Sequence, residues 1–515
     1  MVFKLSVMKK ILLLPVLLIA AHTGLHAQNA NRSKFIADSL ATYINRALTN
    51  WRIPGAAVCI VKDNKVVLMK GYGIKELGLN NKVDENTLFM IGSNTKAFTA
   101  TALAMLETEK KLSLNEKVTK YIPEFKLESK PATELVTVRD LLCHRLGLET
   151  FQGDFTFYNS NHTRDEIIKK MSLLKAPYSF RTIWGYSNAA YLTAGEIIPK
   201  VAKQNWDIYL KEKIFAPLGM GNTLGLSAAM PKAINKAVAH TITDGRLIAV
   251  PYAQLDNMAP AGAISSTVND MSKWILALLN EGRVGKKQVI PEAAIQATRQ
   301  PHDIVGSTND GDGQTSFKLY GLGWFIQDYH NHRIVMHDGG ITGFVSSVTL
   351  VPQDNLGIII LTNTDQNNLI DALRWEVLDA YFKLPYRNYS DASLKEYKAY
   401  TAKELAEDKK KRDTVLTNPR TALSISYYEG KFNNPVYGSL TVERGENNIL
   451  NVRFEHHPKM YAKLQPLGGN RFYATFSDPA FGKAVFPFTV QNGKVTGLTV
   501  KPADFVEFGS YEFTR

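Results

Sequence analysis

The sequence predicts an α/β chain of the α+β kind, one antiparallel sheet with flanking helices followed by a smaller, separate β-domain. Three observations carry this. In "IPGAAVCIVKDNKVVLMKGYG" two apolar runs flank Asp63 and Asn64, the pattern of a β-hairpin. In "GFVSSVTLVPQDNLGIIILTNTD" two more flank a Pro-Gln-Asp-Asn turn. From residue 421 onward the helical texture gives way to short alternating runs such as "GSLTVERGENNILNVRF", "RFYATFSD" and "FPFTVQNGKVTGLTV".

Taken in order, the 515 residues are too many for one ordinary domain. The opening "MVFKLSVMKKILLLPVLLIAAHTGLHAQNA" sets Lys4, Lys9 and Lys10 before an apolar run that is too short and wrongly flanked for a stable membrane span. We read residues 1–27 as an export signal cleaved after Ala27, which puts the rest in the periplasm or outside the cell with no transmembrane segment. No cysteine follows the run to carry a lipid.

The main domain is expected over 33–385. Its first hairpin and its last strand pair both belong to the sheet, and the unalternating Ile358, Ile359, Ile360 and Leu361 predict a strand covered on both faces. "LIDALRWEVLDAYF" then reads as an amphipathic helix. Residues 386–420 form a polar helix or linker, and 421–515 a barrel or sandwich in which Asn492-Gly493 marks a two-residue hairpin. Cys59, in a strand-like run, and Cys143, in the helical "VTVRDLLCHRLG", read as two buried free thiols.

Formal net charge is +13, and removing the leader's three lysines leaves +10. The basic residues are scattered, and the dense "EDKKKRD" at 407–413 is interleaved with acids. That pattern reads as a solvated face rather than a nucleic-acid surface, since no aromatic-basic interleaving accompanies it. An exported basic protein would instead meet anionic wall polymer or a membrane surface.

Chemistry concentrates in three stretches. In "FMIGSNTKAFTATALAML", Ser93 and Lys96 stand one turn apart where a helix begins. A serine there is an ordinary N-cap, but a capping box would place Glu or Gln where Lys96 stands. A lysine in the positive first turn, its pKa lowered by the helix terminus, is a base able to activate a serine hydroxyl. In "RTIWGYSNAAYLTAGEII", Tyr186 and Asn188 precede an apolar helix. They read either as a packed aromatic and a cap, or as a phenol held partly as phenolate beside Lys96 and an amide that holds a substrate carbonyl or Lys96 itself. In "RIVMHDGGITGFVSS", His337 is either a surface histidine or part of a site, and Gly339 and Gly340 permit close approach of a neighbouring strand or a substrate.

Together, and in this order, the three stretches resemble the serine β-lactamase and penicillin-binding-protein superfamily, in its class C β-lactamase-related branch. The resemblance runs from about 33 to 385, through "PGAAVCIVKDNKVVLMKGYG", "VTVRDLLCHRLGL", "YSNAAYLTAGEII", "IFAPLGM", "APAGAISSTVNDMSKWI" and "YGLGWF". It implies a β-lactamase/transpeptidase-like sheet-and-helix sandwich and acyl transfer: Ser93 attacks a carbonyl, Lys96 and Tyr186 shuttle its proton, and water releases the acyl group. The oxyanion would sit on the backbone N–H groups of Ser93 and Gly340, with Asn188, His337 and Gly339 binding substrate. Either Lys96 or Tyr186 fits as the acylation base.

Where relatives carry Lys-Thr-Gly this chain has His337-Asp338-Gly339. The cation and hydroxyl that hold a β-lactam carboxylate are replaced, which favours peptidase activity of the D-amino-acid or D-Ala type, or esterase activity, over antibiotic hydrolysis. "YYEGKF" is similar to the lipocalin-like barrels appended to such hydrolases. Expected partners are a small peptide or ester substrate, with peptidoglycan fragments as a candidate, and no nucleic acid.

No cofactor or metal is expected. His330-Asn331-His332 and Glu455-His456-His457 lack metal-ligand spacing and read as solvated turns, and Ser187 in "GYSNA" lacks the context of a nucleophile elbow. The competing function class is a penicillin- or wall-peptide-binding protein or scaffold with little turnover.

Overall fold

A computed structural model describes residues 34–306 and 315–515, so the expected leader, residues 1–27, lies outside the described residues. Among those described, no helix is long and apolar enough to cross a membrane. The chain divides into two compact units, one made by the described residues up to Ile53 with Asn367–Tyr400, the other by Pro54–Gln366 with Thr401–Arg515.

The first unit is helical. Its helix Leu40–Trp51 buries Leu40, Tyr43, Ile44, Ala47, Leu48 and Trp51, the three-and-four spacing of a one-sided helix. Trp51 Nε1 donates to Ser390 Oγ at 3.0 Å. The helix Leu369–Tyr381 corresponds to the amphipathic segment predicted there.

In the second unit the two predicted strand pairs belong to one antiparallel sheet. Its strands are β1 (Gly55–Lys62), β2 (Lys65–Gly73), β3 (Asp303–Gly306), β4 (Lys318–Tyr320), β5 (Phe325–Tyr329), β6 (His332–Ile341), β7 (Phe344–Val351) and β8 (Leu356–Thr362). Across the sheet the order is β2-β1-β8-β7-β6-β5-β4-β3 among the described residues. Early and late chain meet where β1 pairs with β8, from Ala56↔Thr362 to Lys62↔Leu356. Asp63 and Asn64 both take positive φ, 51° and 62°, so the β1–β2 turn has the twist a tight hairpin needs. All of β8 is buried, as its unbroken apolar run predicted.

Helix α1 (Thr95–Thr108) is buried from Thr95 through Leu106, a core helix rather than an amphipathic one. Phe98 stacks on Trp274 of α4 (Val268–Leu279) with centroids 4.1 Å apart. Two other elements matter for the site: the single turn α2 (Asp154–Phe157) and α3 (Asn188–Ala202). Cys59 and Cys143 are free and buried.

Residues 430–514 close into a barrel of eight antiparallel strands: β9 (Gly430–Asn434), β10 (Gly438–Arg444), β11 (Leu450–Phe454), β12 (Tyr461–Gly468), β13 (Arg471–Phe476), β14 (Lys483–Gln491), β15 (Lys494–Val500) and β16 (Tyr511–Thr514). The barrel resolves the barrel-or-sandwich alternative, and Asn492 and Gly493 form its β14–β15 turn with φ of 50° and 71°. The polar stretch before it is helical over Tyr389–Leu416. Asp408 of that helix accepts from the Tyr473 hydroxyl and from Lys483, fastening its later part to the barrel wall.

The barrel core also takes in a residue from the helical part of the chain far upstream. Phe155 of α2 is fully buried among barrel residues, with ring centroids 5.0 Å from Tyr437 and 5.1 Å from Tyr511. Burying a side chain of that size contributes about 2–3 kcal/mol.

Candidate active site

The Ser93 turn is built by close packing. Gly92–Asn94 forms a single 3-10 turn just before α1, and Gly92 has φ +51°, a left-handed conformation suited to glycine. The turn lies against β6: a Cβ on Gly339 would fall 1.9 Å from the Ile91 carbonyl oxygen, and one on Gly92 3.1 Å from Gly340 N. So the glycine pair of the third stretch admits the serine-bearing turn itself. Asn94 Nδ2 donates to Ser346 Oγ at 2.8 Å, and Ser346 in turn to the Ile91 carbonyl at 2.8 Å.

Neither predicted cap is a cap. Ser93 makes no capping hydrogen bond for α1, whose N-cap is Asn94 with no side-chain bond. For α3 the cap is Ser187, which accepts from Ala190 N, while Asn188 is the first helical residue. Both side chains point to Lys96 instead.

Lys96 has no exposed surface. Its Nζ lies 3.1 Å from Ser93 Oγ, 2.7 Å from Asn188 Oδ1 and 2.8 Å from the Ala261 carbonyl. Burial brings the amine down to about 7, against a smaller upward pull from Asp154. A neutral amine has two N–H groups and one lone pair. The Asn188 and Ala261 oxygens can only accept, so they take both N–H groups and leave the lone pair to the Ser93 hydroxyl.

The orientation of Asn188 is itself fixed. Its Nδ2 donates to Asp154 Oδ2 at 2.6 Å, which forces its oxygen toward Lys96. Asp154, 4% exposed, carries no motif in the sequence and was missed there. Burial pushes its carboxyl well above the usual range.

Tyr186 packs its ring 4.6 Å beneath the Lys96 amine. The phenolate alternative is disfavoured: burial raises the phenol above its ordinary value, and a hydrogen bond with Ser93 offsets this only in part. With Lys96 itself close to neutral, no strong positive charge remains to stabilise the anion.

His337 is not a surface histidine. It is 2% exposed, and burial and Lys96 bring it down to about 4. Nδ1 lies 2.7 Å from the Asp338 carbonyl, which only accepts, so Nδ1 carries the proton and Nε2 accepts from the Tyr320 hydroxyl at 3.0 Å. The imidazole is held neutral with both nitrogens engaged.

Ser93, Tyr186, Asn188, His337 and Gly340 line one cavity of about 380 Å³, with Lys96 and Gly339 packed behind it. Its other walls are largely aromatic, from Phe151, Tyr158, Trp184 and Phe325, and it is completed by Phe505 and Val506 from the barrel. A second cavity, about 490 Å³ between Ile295, Arg299 and Arg333, contains none of these residues and is not the site of this chemistry.

The Glu455-His456-His457 turn is also corrected. His457 is buried, accepting from Tyr437 at 2.7 Å and donating to the Tyr158 carbonyl at 3.0 Å, while His456 stacks on His162. It joins the barrel to the segment after α2. Among the described residues no group of His, Cys, Asp and Glu side chains is arranged to hold a metal ion.

A Beta-lactamase family model matches residues 40–381, and a domain of unknown function (DUF3471) matches 417–515. Protein flp of Staphylococcus aureus (strain MRSA252) is 28% identical over 364 residues, covering 69% of this chain and 68% of its own. Unguisins hydrolase ungD' of Aspergillus campestris is 29% identical over 431 residues, covering 80% and 78%. The octameric penicillin-binding protein homologue from Pyrococcus abyssi shares the fold with a TM-score of 0.60 at 19% identity, over 92% of this chain and 99% of that one. For a D-stereospecific amidohydrolase from Streptomyces sp. the TM-score is 0.53 at 20% identity, over 67% and 97%.

Proposed function

Because the chain belongs to the Beta-lactamase family of hydrolases, we propose that it is an exported serine hydrolase working through a Ser93 acyl-enzyme on small peptides or esters. The observation that carries this is the hydrogen-bond arrangement of Lys96, whose two N–H groups are taken by Asn188 Oδ1 and the Ala261 carbonyl. The lone pair is thereby aimed at the nucleophile's proton.

In the first step Ser93 Oγ bonds to the substrate's carbonyl carbon as its proton passes to Lys96. The oxyanion is received by the backbone N–H groups of Ser93 and Gly340. Tyr186, protonated, hands a proton to the leaving amine or alcohol and regains one from the Lys96 ammonium. Water then attacks the ester by the reverse relay and frees Ser93. In this scheme Lys96 is the base and Tyr186 the relay, because burial lowers the first and raises the second.

The cavity disfavours a carboxylate-bearing acyl group. Its lining contains no lysine or arginine, and His337 is neutral, so a β-lactam carboxylate meets no fixed cation there. This supports peptidase activity of the D-amino-acid or D-Ala type, or esterase activity, over antibiotic hydrolysis. Export to the periplasm or beyond rests on the leader's composition.

The test is treatment of the purified protein and its Ser93→Ala variant with a fluorophosphonate, followed by intact mass. One adduct on the parent and none on the variant is expected, with the variant fully folded. An unlabelled but folded parent overturns the reading in favour of ligand binding without turnover.

A further inference from the structure

We propose that Glu507, on the barrel loop before β16, is a positioning residue for the Ser93–Lys96 pair. This rests on the reading of Ser93 as nucleophile.

The connection runs through the one-turn α2. Gly153 N donates to Glu507 Oε1 at 3.0 Å, and Phe155 N donates to Oε2 at 2.9 Å. The Tyr511 hydroxyl donates to Oε2 at 2.8 Å. Burial raises the Glu507 pKa, but three donors converging on two oxygens offset this and favour the ionised carboxylate, which only accepts. The barrel thus grips both backbone N–H groups that flank Asp154. It grips the turn a second time through Phe155, which is buried in the barrel core.

What the turn presents to the other side is Asp154. Asp154 Oδ2 fixes the Asn188 amide at 2.6 Å, and the amide oxygen fixes Lys96 at 2.7 Å. The Asn188 amide can face Lys96 with oxygen or with NH2, and its Nδ2 bond to the Asp154 carboxyl holds the oxygen toward the amine. Were the turn to slip, the amide could reverse and set donor against donor. Lys96 would then turn its lone pair toward Asn188 instead of Ser93. Gly153 has φ +95° and its Cβ position lies 2.8 Å from the Phe157 ring, so the turn is tightly bounded on its own side as well.

Charge acts in the same direction. The titratable groups facing Asp154 are Glu507, Lys96, Tyr186 and Tyr511, and both burial and Glu507 disfavour its anion. An Asp154 anion would raise the pKa of Lys96. Tyr186, His144 and His337 also surround Lys96, all held neutral by burial. Glu507 itself faces Tyr511 and Lys501 besides Asp154. Removing its charge lets Asp154 ionise more readily, so Lys96 keeps its proton to higher pH.

The experiment measures the fluorophosphonate labelling rate of the full chain from pH 5.5 to 9 in the parent, Glu507→Gln and Glu507→Asp. The parent's rate should rise with pH to a half-maximum set by Lys96. For Glu507→Gln we expect labelling about ten- to a hundred-fold slower at neutral pH, as for other small misplacements of a reacting group. Its half-maximum should move to higher pH, and Glu507→Asp should recover part of both. A parental rate in Glu507→Gln, or a slower rate with an unmoved half-maximum, overturns the assignment. Should Glu507→Gln fail to fold, Tyr511→Phe keeps the ring against Phe155 and removes one donor from Glu507. Glu507 keeps its charge there, so labelling should slow with the half-maximum in place, and a parental rate overturns the proposal. A parent that does not label at all counts instead against Ser93 as nucleophile.

Discussion

Replacing Lys96 with methionine tests the electrostatics of the site through stability rather than turnover. Lys96 is fully buried, and its amine falls from 10.5 to about 7 on folding. At about 1.4 kcal/mol per pH unit, the folded state disfavours the charged amine by about 5 kcal/mol. Above pH 10.5 both states hold a neutral amine and nothing is lost. Between about 7 and 10.5 the unfolded chain binds a proton that the folded one does not, so stability falls as pH falls. Below about 7 both states are protonated and the full penalty stands. Methionine has similar bulk and no charge, but it strips Asn188 Oδ1 and the Ala261 carbonyl of their donor, at about 1–3 kcal/mol each. The variant should therefore be inactive yet within a few kcal/mol of the parent at pH 7. It should lose about 1.4 kcal/mol relative to the parent for each pH unit up to 9. Urea unfolding of both proteins at pH 7, 8 and 9 reads this directly, because titrations not coupled to Lys96 cancel in the comparison. A difference that stays constant across that range would refute a neutral Lys96.

Two further outcomes follow from the buried groups. In His337→Gln the half-maximum of the labelling profile should stay where Lys96 sets it, because His337, near 4, carries no charge between pH 5 and 9; a displaced half-maximum would give His337 a charged role. Cys59 and Cys143, their thiols pushed up to about 12 by burial, should ignore a thiol reagent at pH 8 in the native protein and react fully in urea; fast native reaction of either would contradict its burial.

Much of this was legible in the chain because the signals were local. Asp63-Asn64 and Asn492-Gly493 specify their turns by backbone preference, and the run Ile358–Leu361 announces a covered strand. Lys96 stood out because its position is wrong for a helix and right for a base. What escaped the sequence depends on distance. Asp154, in the one-turn α2, and Glu507, in a loop, sit in "GDF" and "VEF" with no periodic context, and their link spans 354 positions between Gly153 and Glu507. Ser93 and Asn188 were each compatible with capping because cap preference reflects side-chain chemistry alone, and tertiary packing turned both toward Lys96. The phenolate expected of Tyr186 presumed a charged lysine, and burial neutralises both partners at once. His457 read as solvated because nothing in its own segment announces Tyr437 and Tyr158 closing over it.

Phe155 in the barrel core also bears on the timing of assembly. During synthesis Ser93, Lys96 and Asn188 emerge long before β16, yet the cavity wall of Phe505 and Val506 and the socket that receives Phe155 exist only after the late strands have closed. Until then α2 has an unburied aromatic ring and nothing to seat it. A half-made chain thus carries Ser93, Lys96 and Asn188 without Phe505 and Val506 to complete the cavity and without the barrel core that seats Phe155.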